Sequence, residues 1–179
     1  QGDIDNEISG MPASINEITG EIARLNEAIR LTGIQGNPGN DLRDKRDLLI
    51  DQLSEFVDAR SIEHHDGTIT LLIGNNVIVE RDNFTKLKAV TQSALKENTK
   101  KTAIVSEEGI EFFPTQGKLG ALLNFRDVIL PEISDKLNNI TESLVTYVNF
   151  EHRSGYGLDG VSGRNFFDPN RTKAFNVEL

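Results

Sequence analysis

The stretch GKLGALLNFRDVILPEISDKLNNITESLVTYVNFEHRSG, residues Gly117–Gly155, decides the fold. Alternating steps of four and three along it land on Leu119, Leu123, Arg126, Leu130, Ile133, Leu137, Ile140, Leu144 and Tyr147. Such spacing keeps one narrow stripe of a helix turned toward a partner, so it predicts a coiled-coil-like helix rather than an ordinary surface helix. At about 1.5 Å of rise per residue, Lys118 to Arg153 spans roughly 54 Å. A stripe that long needs an equally long cover.

A second stripe offers one. Ile4, Ile8, Met11, Ile15, Ile18, Ile22, Leu25 and Ile29 follow the same alternation, and every position is apolar. The expectation is a structural seam in which Leu119, Leu123, Leu130, Ile133, Leu137, Ile140 and Leu144 pack on Ile15, Ile18, Ile22, Leu25 and Ile29. Gly10 and Pro12 interrupt the early stripe. An internal proline removes a helix hydrogen bond at a cost of about 3 kcal/mol, which predicts a kink or break there, with Ser9 available as a cap. The segment GIQGNPGN, residues 33–40, ends the first helix. The next starts at Asn40 or Asp41, either of which can cap it, and runs to about Val57 with Leu42, Leu49, Leu53 and Phe56 buried. Two helices joined by so short a loop are expected to lie antiparallel.

After Val57 the apolar period changes from helical to alternating. Ile62 and His64 lead into Asp66-Gly67, a strong hairpin signal, and out through Ile69, Leu71 and Ile73. Gly74-Asn75-Asn76 turns the chain into Val77 to Arg81, and a fourth strand is expected at Phe84 to Val90. The polar run SALKENTKK, residues 93–101, reads as a loop. Thr102 to Val105 and Ile110 to Phe113 suggest a further hairpin around Glu107-Glu108-Gly109. These strands predict one small antiparallel sheet inserted between helices. Pro131 either kinks the long helix or opens a new segment. Beyond Arg153, SGYGLDGVSG is a Gly-rich loop, and NFFDP and AFNVEL read as the first strands of a following β domain.

The fold class is thus α+β, mainly α: a long antiparallel coiled-coil-like helical bundle carrying a small antiparallel β insertion. Its parts are 1–57, a helical hairpin; 58–115, inserted β hairpins; 116–154, a long return helix; and 155–179, a loop and the start of another domain.

Composition narrows the function. The formal charge of -9 disfavours nucleic acid and anionic membrane surfaces, which select for basic patches. No apolar run reaches the ~20 residues of a membrane span, and the opening residues are not expected to be a signal peptide. With no cysteine, thiolate nucleophiles, disulfides and Cys-ligated metals drop out. Aromatic residues make up 6 % and Trp is absent, which suits helix seams better than a ligand pocket. Gln1 opens directly onto a periodic pattern without methionine, so the chain is expected to be part of a longer polypeptide.

Two arginines stand where the seams want apolar residues. Arg46 follows Leu42 and precedes Leu49, while Arg126 lies between Leu123 and Leu130. A buried guanidinium must be paired, and a polar residue on a seam can fix register. Each is expected to bond a carboxylate of a neighbouring helix, Asp44, Asp47, Asp127 and Glu132 being candidates; the residues expected to pair and fix helix register are Arg46, Arg126, Asp47 and Asp127. The plainer alternative is that both stems lie along the seam with their heads in water.

Nothing suggests catalysis. His64-His65 point to opposite faces of a strand, so one metal cannot readily use both. GYGLDGVSG follows a helix, whereas a phosphate loop precedes one. The sequons at Asn83, Asn139 and Asn170 are chance matches, and no Ser, His and Asp share a triad-like spacing. The sequence implies no cofactor and no metal.

Three blocks occur in order: NDLRDKRDLLIDQLSEFV (Asn40–Val57), GKLGALLNFRDVILPEI (Gly117–Ile133) and NFEHRSGYGLDGVSGRNFF (Asn149–Phe167). Together they resemble the bacterial flagellar hook-associated protein 1 family. The most specific positions are Asn40, Asp41, Leu42, Arg46 and Asp47; Gly117, Leu119, Gly120, Leu123, Arg126 and Asp127; and Asn149, His152, Gly155, Gly160, Gly163, Phe166 and Phe167. Val148 departs from the Phe expected there. The resemblance implies a non-catalytic structural subunit of the hook-filament junction. The same resemblance implies that it is extracellular, exported by the flagellar type III route without a cleaved signal and attended by an export chaperone. Its partners would be other copies of itself in the junction ring, hook protein and the adjoining junction and filament proteins. Lacking the family's terminal polymerising helices, the chain alone is expected to be monomeric. The competing function is a free-standing coiled-coil binding or adhesion module, which would dimerise through its heptads.

Overall fold

The computed structural model describes residues 2–93 and 100–176. Most of the predicted polar loop and the last residues of AFNVEL lie outside them. The chain divides into two compact units, one ending at Asn124 and the other starting at Phe125.

The first unit is built on α1 (Gly2–Ile34) and α2 (Asn40–Phe56). Of the kink or break expected at Pro12, the break does not occur: helix α1 is continuous through it. Pro12 is buried with Ile8, Met11 and Ile15, so its ring packs into the core and burial offsets the missing bond. Ser9 does not cap a restarted helix; its hydroxyl donates to the Asp5 carbonyl at 2.7 Å, one turn back. Helix α2 has the expected extent, but neither Asn40 nor Asp41 caps it. The capping position is Gly39, at φ 61°, without a side-chain cap.

Four strands follow as a meander of order β1-β2-β3-β4: β1 (Ala59–Glu63), β2 (Ile69–Ile73), β3 (Asn76–Glu80) and β4 (Asn83–Phe84). Asp66-Gly67 forms the first turn as the sequence suggests. Gly67 has φ 80°, and its N–H donates to the His64 carbonyl at 3.0 Å. The expected strand from Phe84 to Val90 is split. Phe84 closes the meander, and β5 (Leu87–Ser93) pairs instead with β6 (Lys100–Ser106) in a separate two-stranded sheet. The predicted single sheet is therefore two. Ile110 to Phe113 forms only a narrow return, bridging Val105 to Glu111.

One apolar core joins these pieces. It gathers Ile8, Met11, Ile15 and Ile22 of α1, Leu53 and Val57, Ile69, Leu71, Ile73, Ile78 and Val79 of the meander, Leu87 and Ile104 of the hairpin, and Phe112. Leu119 of α3 (Gly117–Asn124) enters the same core, and Leu123 packs partly buried against it. Each such side chain contributes about 1.5–3 kcal/mol.

The second unit begins with a π-helical turn, Phe125–Ile129, followed by α4 (Leu130–Ser154). The long return helix is thus neither uniformly α-helical nor simply kinked: Pro131 sits in the first turn of α4, just past the π turn. A proline ring collides with the carbonyl four residues earlier, and widening the preceding turn relieves that collision. The segment after α4 folds back on it. Among the described residues it holds turns and one isolated bridge, Tyr156 to Ser162, rather than the expected strands.

Candidate functional site

What stands out in the first unit is how α1 grips the β insertion. Asn16 receives the Leu87 N–H on Oδ1 at 2.8 Å and donates Nδ2 to the Leu87 carbonyl at 2.8 Å. Asn26 does the same for Ile69, receiving its N–H at 3.1 Å and donating to its carbonyl at 2.9 Å. An asparagine amide carries one acceptor and two donors, so it can present to a strand residue what a neighbouring strand would. Leu87 opens β5 and Ile69 opens β2; each sheet is therefore seated on α1 at the first residue of a strand. Asn26 Nδ2 also donates to the Arg81 carbonyl at 2.7 Å, holding the turn between β3 and β4. Near the start of α1, Asp5 accepts the Thr102 N–H at 3.0 Å, which ties β6.

Arg46 completes the Asn26 clamp. It is 3 % exposed, and its Nη1 donates to the Gly67 carbonyl at 2.7 Å and to Asn26 Oδ1 at 3.2 Å. This corrects the expectation of a carboxylate from a neighbouring helix, because α1 presents the neutral Asn26 at that level. Asp47 belongs to the same helix, is exposed, and comes only within 3.9 Å of Nε. Removal from water lowers the Arg46 pKa from its ordinary value, with Asp47 opposing that effect. Arg126, 5 % exposed, forks onto its sequence neighbour Asp127, with Nε to Oδ1 at 3.0 Å and Nη2 to Oδ2 at 2.8 Å. Side chains of adjacent residues diverge on a regular α-helix, and this pair closes within the π turn. Asp44 and Glu132 form no part of the Arg46 contacts described above, and Glu132 is exposed.

The predicted seam divides. Ile15, Ile22, Leu25 and Ile29 are buried and Ile18 is partly so, but the elements of the same unit that pack on α1 are α2, α3 and the strands. On α4, Leu130 is partly exposed, while Ile133, Leu137, Ile140 and Leu144 are 45, 50, 65 and 53 % exposed. Within the first unit α2, α3 and the strands together cover the α1 stripe. The opposite face of α4 is the covered one. Asn149 accepts the Phe166 and Phe167 N–H groups at 2.9 and 2.8 Å and donates to the Phe167 carbonyl at 2.9 Å. Phe167 meets Phe166 edge to face at 4.9 Å, and His152 lies 5.4 Å from Phe166. Arg153 Nε donates to Asn165 Oδ1 at 2.7 Å. These contacts give the block from Asn149 to Phe167 a physical meaning: it is a helix end and the return that it clasps.

Sequence reasoning missed Asn16 and Asn26. Their signal is a polar residue flanking an otherwise apolar stripe, which periodicity alone treats as surface. Among the described residues no three His, Asp or Glu side chains gather in a metal-like group, and no helix is long and apolar enough to cross a membrane.

Residues 1–167 match the family model described as the flagellar hook-associated protein FlgK helical domain. The flagellar hook-associated protein 1 of Salmonella typhimurium is 32 % identical over 167 residues, covering 89 % of this chain and 30 % of that protein. The Bacillus subtilis protein of the same name is 26 % identical over 197 residues, covering 94 % and 38 %. The chain thus spans about a third of the length of the curated relatives it matches. A solved structure, the flagellar hook junction protein FlgK from Burkholderia pseudomallei, shares the fold with a TM-score of 0.71 at 24 % identity, covering 93 % of this chain and 31 % of its own. With its helices, inserted strands and clasped return all inside the matched span, the chain belongs to the flagellar hook-associated protein FlgK helical domain family.

Proposed function

We propose that this chain is the helical domain of a structural subunit that joins hook to filament in the bacterial flagellum, with mechanical support as its task and no catalysis. The family match over residues 1–167 carries the reading. Its physical support is the seating of two sheets on one helix at Asp5, Asn16 and Asn26, which couples helix and insertion by bonds that must break together for either to slide.

In this reading the partners are other copies of the protein in the junction ring, hook protein and the adjoining junction and filament proteins. The full-length protein is extracellular, exported by the flagellar type III route with an export chaperone and without a cleaved signal, and the chain alone is a monomer. The finer architecture is a coiled-coil-like bundle in which Leu130, Ile133, Leu137, Ile140 and Leu144 form a bundle face, with Leu119 and Leu123 continuing the seam of Ile15, Ile18, Ile22, Leu25 and Ile29. Arg46, Arg126, Asp47 and Asp127 are the proposed helix-register residues, with Arg46 acting through Asn26 of α1. The divisions 1–57, 58–115, 116–154 and 155–179 remain the proposed parts.

A domain exchange tests the assignment. The matching segment of the Salmonella typhimurium protein is replaced by this chain, and swimming and filament attachment are scored by motility agar and electron microscopy. Retained filaments on intact hooks support the reading. Hooks that shed their filaments, with the hybrid exported at normal levels, overturn it.

A further inference from the structure

We propose that the π-helical turn Phe125–Ile129, together with Pro131, is a flexion point at which the two compact units reorient. Three features coincide there. One unit ends at Asn124 and the next begins at Phe125. The π turn occupies Phe125–Ile129, and Pro131 follows in the first turn of α4. An uninterrupted α-helix resists bending because every turn would have to distort its hydrogen bonds. Compliance therefore concentrates where the bond pattern is already broken, as at a π turn or a proline. Pro131 brings no N–H to the ladder, and of the π turn's side chains Phe125, Val128 and Ile129 are exposed while Arg126 alone is buried, so little apolar burial opposes a change of direction. The sequence locates a discontinuity at Pro131 alone; the π turn places the compliant element ahead of it, on the boundary between the units. Flexion here goes beyond the junction assignment and does not depend on it.

The absence of cysteine makes the test direct. Nitroxide labels at Glu55→Cys on α2 and Glu142→Cys on α4 report across the boundary in the full chain. Labels at Asp135→Cys and Glu151→Cys, both on α4, give the width of a distance distribution within one rigid helix. Pulsed electron spin resonance is expected to show the cross-boundary distribution broader than the control by about twofold or more, as a hinge requires. Deleting Val128 together with Pro131→Ala restores an unbroken α-helical pattern and narrows the distribution to the control width; Pro131→Ala alone narrows it in part. A cross-boundary width equal to the control in the parent chain overturns the proposal. So does an unchanged width in the deletion variant when circular dichroism shows it folded. If that variant does not fold, the parent comparison and Pro131→Ala decide.

Discussion

Asn26 Oδ1 accepts from Arg46 Nη1 at 3.2 Å, so a helix-to-helix contact and a helix-to-strand contact share one amide. Arg46 reaches past Asn26 to the Gly67 carbonyl, and the turn, both helices and β2 are thereby joined in a buried polar knot. Arg46→Ala takes its donor from the Gly67 carbonyl and leaves Asn26 Oδ1 with the Ile69 N–H alone, and is expected to cost about 2–4 kcal/mol. Arg46→Met keeps most of the volume and removes the buried charge, so it should cost less. Urea midpoints order the two variants; an alanine variant as stable as the parent would show that the knot contributes nothing.

The acid limb of stability should carry a contribution from Asp66. Hydrogen bonds from the Thr68 hydroxyl, at 2.6 Å, and the Thr68 N–H, at 3.0 Å, hold its carboxyl below the ordinary value. A folded pKa below the unfolded value of about 3.9 means the stabilisation is present above that pH and lost as pH falls through the folded value. Glu27, lowered by Arg30, contributes with the same sign. Thr68→Val removes the larger of the Asp66 bonds, so urea midpoints taken from pH 6 downward should fall less steeply below about pH 4 than in the parent. Parallel slopes would count against it.

Two helical glycines should respond in opposite directions to alanine. At Gly10 an added Cβ meets nothing within 4 Å, and Gly10→Ala is expected to stabilise by about 0.5–1 kcal/mol. At Gly120 the Cβ would stand 2.6 Å from the Thr115 carbonyl carbon and 3.0 Å from the Pro114 oxygen. Backbone cannot step aside there, so Gly120→Ala should lower stability by about 1–3 kcal/mol. Thermal melts of the pair provide the comparison.

Arg81 holds the turn between β3 and β4 at φ 55°, a region costly for a residue with a Cβ. Its carbonyl, not its side chain, meets Asn26. Arg81→Gly keeps that bond and relieves the strain, against a larger loss of chain freedom on folding. A net gain of a few tenths to about 1 kcal/mol is expected for Arg81→Asn, which tolerates this backbone at a smaller entropic cost. Urea midpoints of the two variants against the parent measure it, and a loss of stability in Arg81→Asn would show that the turn stores no strain.

Asn149 should govern whether the return segment stays on α4. Asn149→Leu removes three hydrogen bonds, and amide exchange around Phe166 and Phe167 should accelerate toward that of an open loop. Asn149→Asp preserves the acceptor for both N–H groups and should retain part of the protection. Exchange that stays as slow as the parent's in both variants would mean that the aromatic contacts, rather than the amide, do the clasping.

Local signals were legible in the sequence. The extent of α2, the turn at Asp66-Gly67, the change from helical to alternating period after Val57 and the place of Arg46 on the inward stripe of its helix all depend on residues close along the chain, whose backbone preferences and spacing are written there. The three sequence blocks also pointed to the family. What the sequence left open was partnership. A heptad places Ile15 and Leu137 on stripes, but any apolar surface of suitable shape can cover a stripe, and Ile69, Leu71, Ile78 and Val79 share a core with the one on α1.

The bonds of Asn16 and Asn26 run to backbone groups that every residue type but proline presents in full, so no side-chain pattern at Leu87 or Ile69 could announce them. Pro131 marked a fault in the helix, yet the π turn ahead of it depends on how the chain accommodates the proline. The sequence by itself determined which residues avoid water and where the chain turns, because those follow from side-chain chemistry and local backbone geometry. Only the tertiary structure decided which buried faces meet, because that is settled by competition among all the apolar surfaces of the folded chain at once.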